Sequence, residues 1–223
     1  MNKLAIPLIL LFVTSAYTQR TFDIKDASKY FDIKIKIEAC DDATLCSGKG
    51  SYSFYKKGGT TPYQVITLSE TSIHINDDAK VVGGVLPYDK QSAVAVEDYN
   101  FDGMEDVSLS TGDNGGYGST AYNIYLSSRS AGKFVYDAAF TKALASLGNI
   151  DIDKQKKTFS TFNKDGCCWH VTDRYKVVAN RPVKVWEEIE DATIPDKTKV
   201  KVTTKELVGG RWKTTVRYEK REQ

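Results

Sequence analysis

The stretch Val96-Glu-Asp-Tyr-Asn-Phe-Asp-Gly-Met-Glu-Asp-Val107 sets oxygen-bearing side chains at alternate positions around a glycine. Asp98, Asn100 and Asp102 stand first, third and fifth, Gly103 follows, and Asp106 stands ninth. Calcium is a hard cation that takes about six to eight oxygens in flexible geometry. Alternate side chains on a tightly curving loop can aim at one centre. Gly103 permits the turn, and the Met104 carbonyl falls at the seventh position. The expected ligands are therefore Asp98, Asn100, Asp102, Met104 and Asp106. The twelfth position is Leu109 rather than Glu, and the flanking segments read as strands, so the loop belongs to a hairpin and is no EF-hand. Its role would be structural, because a bound cation removes the repulsion between converging carboxylates. Magnesium, which retains more of its water, suits the loop less. The competing reading is a solvated, acidic turn.

Thr111 to Tyr122 follows at once, rich in glycine and lacking the Gly-Lys-Ser/Thr of a phosphate loop. Asp113, Asn114, Gly116, Tyr117, Gly118 and Tyr122 are suited to close backbone approach by a partner, since tyrosine offers area and a hydroxyl at small entropy cost. A plain hairpin loop is the alternative. Further on, Gly166-Cys-Cys-Trp-His170 invites a catalytic or zinc reading. Zinc needs more ligands, and the other histidine is the remote His74. A disulfide-stiffened turn accounts for these residues. No Gly-x-Ser-x-Gly elbow and no His-Glu-x-x-His occurs, so no enzyme is expected.

Lys3, an apolar run from Ala5 to Val13 and small residues to Ala16 make the three regions of a secretory signal peptide. Residues 1–16 are expected to be a leader and 17–223 one β-rich domain, with 197–223 an appended C-terminal hairpin. The net charge of +2 over the whole chain gives no overall footprint for nucleic acid, and no second apolar stretch could span a membrane. No cysteine lies at the cleavage site to carry a lipid, so the chain is expected to be exported without a lipid anchor. Export places Cys40, Cys46, Cys167 and Cys168 where disulfides persist. A local Cys40–Cys46 bridge is favoured, and the pairing of the other two stays open.

These residues must be positioned by strands. Phe31 to Ile37 alternates with period two, as does Ala121 to Leu126. Short strands are also expected at 52–55, 63–68, 71–75, 93–96, 107–109, 149–153, 158–163, 169–178, 183–189, 199–208 and 212–219. One helix is expected from Asp137 to Gly148, with Phe140, Leu144 and Leu147 on one face. The stretch from Glu187 to Asp196 reads as the most linker-like. The fold class is mainly β: β-propeller-like, or a sandwich of short antiparallel strands with one short helix.

In order along the chain come DYNFDGMEDVSL, GDNGGYGSTAYNIYL, KFVYDAAFTKALASLG, FNKDGCCWH with Arg174-Tyr175, and Asn180-Arg-Pro182. This series resembles the bacterial periplasmic immunity proteins typified by the Xanthomonas type IV secretion immunity protein. The resemblance covers Ser92 to Pro182. It implies a calcium-binding, β-propeller-like protein that inhibits a lysozyme-like peptidoglycan hydrolase and, with no lipid-bearing cysteine, resides soluble in the periplasm, secretion being the other destination. The matching positions are the calcium loop and Gly115 to Tyr122. The loop is then expected to enter the hydrolase cleft with Tyr117 as its aromatic anchor. The alternative function is a carbohydrate- or protein-binding module without inhibitory activity.

Overall fold

The computed structural model describes residues 19–25, 27–40, 45–74, 93–114, 119–144 and 150–221. Among them the chain forms three antiparallel sheets, each built from consecutive strands, and one short helix. The first sheet holds β1 (Arg20–Ile24), β2 (Phe31–Cys40), β3 (Leu45–Lys56) and β4 (Pro62–His74). The middle sheet holds β5 (Val94–Glu97), β6 (Asp106–Asn114), β7 (Ser119–Ser128) and β8 (Lys133–Tyr136). Helix α1 (Ala138–Ala143) leads to the last sheet. This sheet comprises β9 (Ile150–Asp153), β10 (Thr158–Asp165), β11 (Trp169–Val178), β12 (Arg181–Asp191), β13 (Lys199–Val208) and β14 (Arg211–Lys220). The arrangement is mainly β with one short helix, a sandwich of short strands and not a closed barrel.

Alternation dictates what each strand buries. In β2, Ile33, Ile35 and Ile37 are buried while Lys34 and Lys36 face solvent. Burying each such side chain contributes about 1.5–3 kcal/mol. These isoleucines join Tyr52, Phe54, Ile66 and Leu68 in a first core, which Val94, Val107, Leu109 and Phe134 of the middle sheet close from the other side. A second core lies on the opposite face of the middle sheet. Tyr122, Ile124 and Leu126 of β7 meet Phe140 and Leu144 of the helix and Phe159 of β10 there. The middle sheet is thus covered on both faces, which explains why Asp106 to Ser110 are all buried.

Several expectations change. The strands expected at 63–68 and 71–75 are one strand, β4, because a register shift opposite Gly48 and Gly50 bends the ladder without breaking it. The helix is capped by Asp137, whose carboxylate accepts the Ala139 and Phe140 amides, and it ends with Leu144 as C-cap rather than running to Gly148. Leu147 lies outside the described residues. Glu187 to Asp191, expected in a linker, belongs to β12 and pairs with β11 and β13. The turn from β13 to β14 uses Gly209 and Gly210 at φ 56 and 78, the left-handed pair that a two-residue hairpin demands. This terminal hairpin extends the last sheet through β12, and β14 is exposed along its whole length. Cys40 is bridged to Cys46 across the β2–β3 end, and the adjacent Cys167 and Cys168 are bridged to each other.

Candidate functional site

The acidic loop joins β5 to β6, whose ends pair as Glu97 opposite Asp106. Its tight path uses Phe101 at φ 59 and Gly103 at φ 87. The Asp98 carboxylate accepts the Asp102 amide at 3.0 Å and the Gly103 amide at 2.8 Å. Asn100 Oδ1 accepts the Asp102 amide at 3.2 Å, and Asn100 Nδ2 donates to Asp102 Oδ2 at 3.1 Å. The other Asp102 oxygen accepts the Met104 amide at 2.8 Å. Asp106 is fully buried and accepts the Tyr99 amide at 3.0 Å and the Ser127 amide at 2.8 Å. Burial, reinforced by the Asp102 and Asp98 charges, pushes the Asp106 carboxyl up to about 7 against the pull of those two amides. Tyr99 and Phe101 turn into the second core and anchor the loop from beneath.

The loop stands where the three sheets meet. The Glu105 carboxylate accepts from the Ser28 hydroxyl and, at 3.1 Å, from the Lys29 amide of the β1–β2 connection. Asp106 ties it to β7 through Ser127. From the β9–β10 turn, Lys154 pairs with Glu97 at 2.7 Å and Lys157 donates to the Phe101 carbonyl at 3.3 Å. Two open grooves of about 490 and 410 Å³ flank it. One is lined by Asp102, Met104, Arg129 and Tyr136, the other by Lys29, Asp98, Glu105 and Lys154.

The donor set is all oxygen, which fits a hard cation and neither zinc nor copper. Among the described residues, none of the ion pairs involves Asp98, Asp102 or Asp106. The oxygens of Asp98 and Asp102 are held by donors within the loop and those of Asp106 by the Tyr99 and Ser127 amides, and among the described residues no three His, Cys, Asp or Glu side chains are grouped as a metal cage. In chemistry and order the residues suit calcium, while the carboxylates as they stand are not closed on one point.

The partner loop divides. Asn114 lies opposite Ser119 in the β6–β7 ladder, so residues 115–118 join the two strands. Gly116, Tyr117 and Gly118 lie outside the described residues, as do the side chains of Asp113 and Asn114. Tyr122 is corrected: it is 6% exposed and belongs to the second core, because the alternation of β7 puts it on the same face as Ile124 and Leu126. The leader assigned to residues 1–16 also lies outside the described residues. Among those described, no helix is long and apolar enough to cross a membrane. At the Cys-Cys turn, His170 Nδ1 lies 3.4 Å from Glu190 and its ring 5.4 Å from that of Phe162, while Arg221 approaches the Cys168 sulfur at 3.5 Å. Sequence reasoning missed Glu105, whose bonds to Ser28 and Lys29 fasten the loop to the first sheet; no local pattern marks a partner 77 residues away.

No family model and no curated protein matches the chain. Among solved structures it is similar to one described as "Structure of a Xanthomonas Type IV Secretion System related protein". The TM-score is 0.67 and the identity 20%, over 90% of this chain and 94% of that one. The two share a fold. At that identity the likeness extends to architecture alone.

Proposed function

We propose that the protein is an exported, calcium-stabilised inhibitor of a lysozyme-like peptidoglycan hydrolase, of the immunity type and without catalytic activity of its own. It acts in the periplasm by inserting the loop at residues 115–118, with Tyr117 foremost, into the enzyme's cleft. The observation that carries this reading is the oxygen-lined loop fixed at the meeting of three sheets, next to the β6–β7 hairpin. The shared fold of a type IV secretion related protein from Xanthomonas supports it. Asp98, Asn100, Asp102, the Met104 carbonyl and Asp106 would hold the calcium, which would supply the positive charge that their carboxylates lack. Fixing the base of β6 limits the entropy lost when the hairpin engages a partner. With Tyr122 inside the core, Tyr117 is left as the aromatic for contact.

The test is lysis of peptidoglycan by a panel of hydrolases, including any encoded beside this gene, with the purified protein in calcium or in chelator. Saturable inhibition of one enzyme, weakened by chelator, is the expected result. Tyr117→Ala should raise the inhibition constant about tenfold or more with unchanged melting, the behaviour of a central aromatic anchor. An unchanged constant removes the loop from the mechanism. No inhibition across the panel assigns the protein to the binding modules.

A further inference from the structure

The charge of +2 conceals an uneven distribution. From Lys197 to Gln223 nine Lys or Arg stand against three acids, so this end carries +6 and the rest of the chain −4. Its strands are β13 and β14, and their two faces differ. Residues directly opposite in an antiparallel ladder share a face. Lys201 lies opposite Tyr218, Thr203 opposite Val216, Lys205 opposite Thr214 and Leu207 opposite Trp212. With Lys199 opposite Lys220, this face of the hairpin holds four lysines and no acid; Glu206 and Glu219 belong to the other face.

The acid-free face continues the packed face of the last sheet. Thr161, Asp173, Glu187 and Lys205 form one row across β10, β11, β12 and β13. Thr161 and Asp173 are buried at its start. By β14 the cover is gone, and Trp212, Val216 and Tyr218 are 47%, 51% and 61% exposed. Lys205 is paired with Glu187 and Lys199 with Asp196. Lys201 and Lys220 flank Tyr218, and among the described residues neither makes an ion pair, although Lys201 stands opposite Asp191 of β12 in the ladder.

We infer that this face docks on an anionic lipid bilayer, with Trp212, Val216 and Tyr218 at the headgroup level and Lys201 and Lys220 against lipid phosphates. Trp and Tyr favour that interface, where the ring is buried and the polar edge stays wet. Lysines beside them are drawn to an anionic leaflet. Charge selects this occupant over two others. A second copy would bring two ends of +6 together. A long nucleic acid would run on past the body, whose balance is −4, whereas a bilayer needs only the exposed end strand β14 and the lysines beside it. The inference is independent of the inhibitor reading.

The test uses the full chain, with K201E/K220E and W212A/Y218A variants carrying the same amino terminus, so that any binding through residues 1–16 is common to all. Vesicles of mixed phosphatidylglycerol and phosphatidylcholine are compared with pure phosphatidylcholine by cosedimentation. The wild type should bind the anionic vesicles, lose binding as salt rises, and blue-shift its tryptophan emission. K201E/K220E should bind at least about tenfold less. W212A/Y218A should bind more weakly with the salt dependence kept and most of the blue shift gone. Trp212, Tyr218 and Lys220 are exposed, whereas Lys201 is half-buried opposite Asp191, so W212A/Y218A and K220E alone should melt as the wild type does, K220E alone should also bind the anionic vesicles more weakly, and the salt dependence of the wild type requires no variant. No binding to anionic vesicles, equal binding to pure phosphatidylcholine, or unchanged binding by K201E/K220E overturns the inference. Tighter binding to a DNA duplex than to the vesicles, or a dimer lost in W212A/Y218A, gives the face to another partner and also overturns it.

Discussion

Asp106 spends both carboxylate oxygens on backbone amides of two segments, Tyr99 in the acidic loop and Ser127 in β7. Asp106→Ala would leave the buried Tyr99 amide and the part-buried Ser127 amide without acceptors, at about 1–3 kcal/mol for a buried donor. Denaturant unfolding should show a loss of at least about 2 kcal/mol on that ground. Asp102 differs, because it is exposed and its bonds lie within the loop. Asp102→Ala should melt close to the wild type in chelator yet gain nothing from calcium. The wild type should gain about 2.7 kcal/mol when calcium is a hundredfold above its dissociation constant. A calcium-induced shift of the same size in the variant would remove Asp102 from the ligand set. The spacing of Asp98, Asn100, Asp102 and Asp106 made this loop legible from sequence, because its geometry is local. Tyr122 was hard to read for the opposite reason. Its glycine-rich neighbours suggest a contact loop, and only the alternation that runs on through Leu126 says that its ring points inward.

Strands were legible where one face is buried along a long run. The spans of β11 and β13 follow directly from the sequence pattern, and those of β2, β7 and β12 differ only in length. The strands β1 and β8 carry too few residues for a period to show. In Lys133–Tyr136 only Phe134 is buried, and its place is set by the rings of Phe54 at 4.9 Å and Phe31 at 5.4 Å, both far away in sequence. The expected linker at Glu187 to Asp196 is misleading because its acids are paired across strands. Glu187 accepts from Lys205 at 2.6 Å and from Lys184 at 3.0 Å, and Lys184 reaches Asp173 at 2.7 Å. The bond from Lys205, against partial burial and aided by Lys184, holds the Glu187 carboxyl below its ordinary value of 4.5. A carboxyl lowered in the fold contributes stability above its unfolded value and loses it as pH falls through the folded one. The acid side of the melting curve, below about pH 4.5, should therefore be flatter for Glu187→Gln than for the wild type. The effect is modest because Lys205 is partly exposed. Parallel acid limbs would mean that this ladder contributes nothing.

Burial is graded across the molecule, from a middle sheet covered on both faces to a terminal hairpin in the open. Hydrogen exchange should follow it, since local opening is easiest where apolar contacts are few. The β13–β14 amides should exchange first and those of β6 and β7 last, near the global limit. Early exchange in β6 would contradict its place at the centre. Each sheet is a run of neighbouring strands, so it can pair as soon as its own stretch of chain is available. The apolar side of β2, β3 and β4, however, waits for Val94, Val107 and Leu109 before it is closed. A growing chain therefore carries a sticky, half-finished sheet until roughly its midpoint has been synthesised, and slow delivery of that next segment is the interval in which this protein is most prone to clump with its own kind.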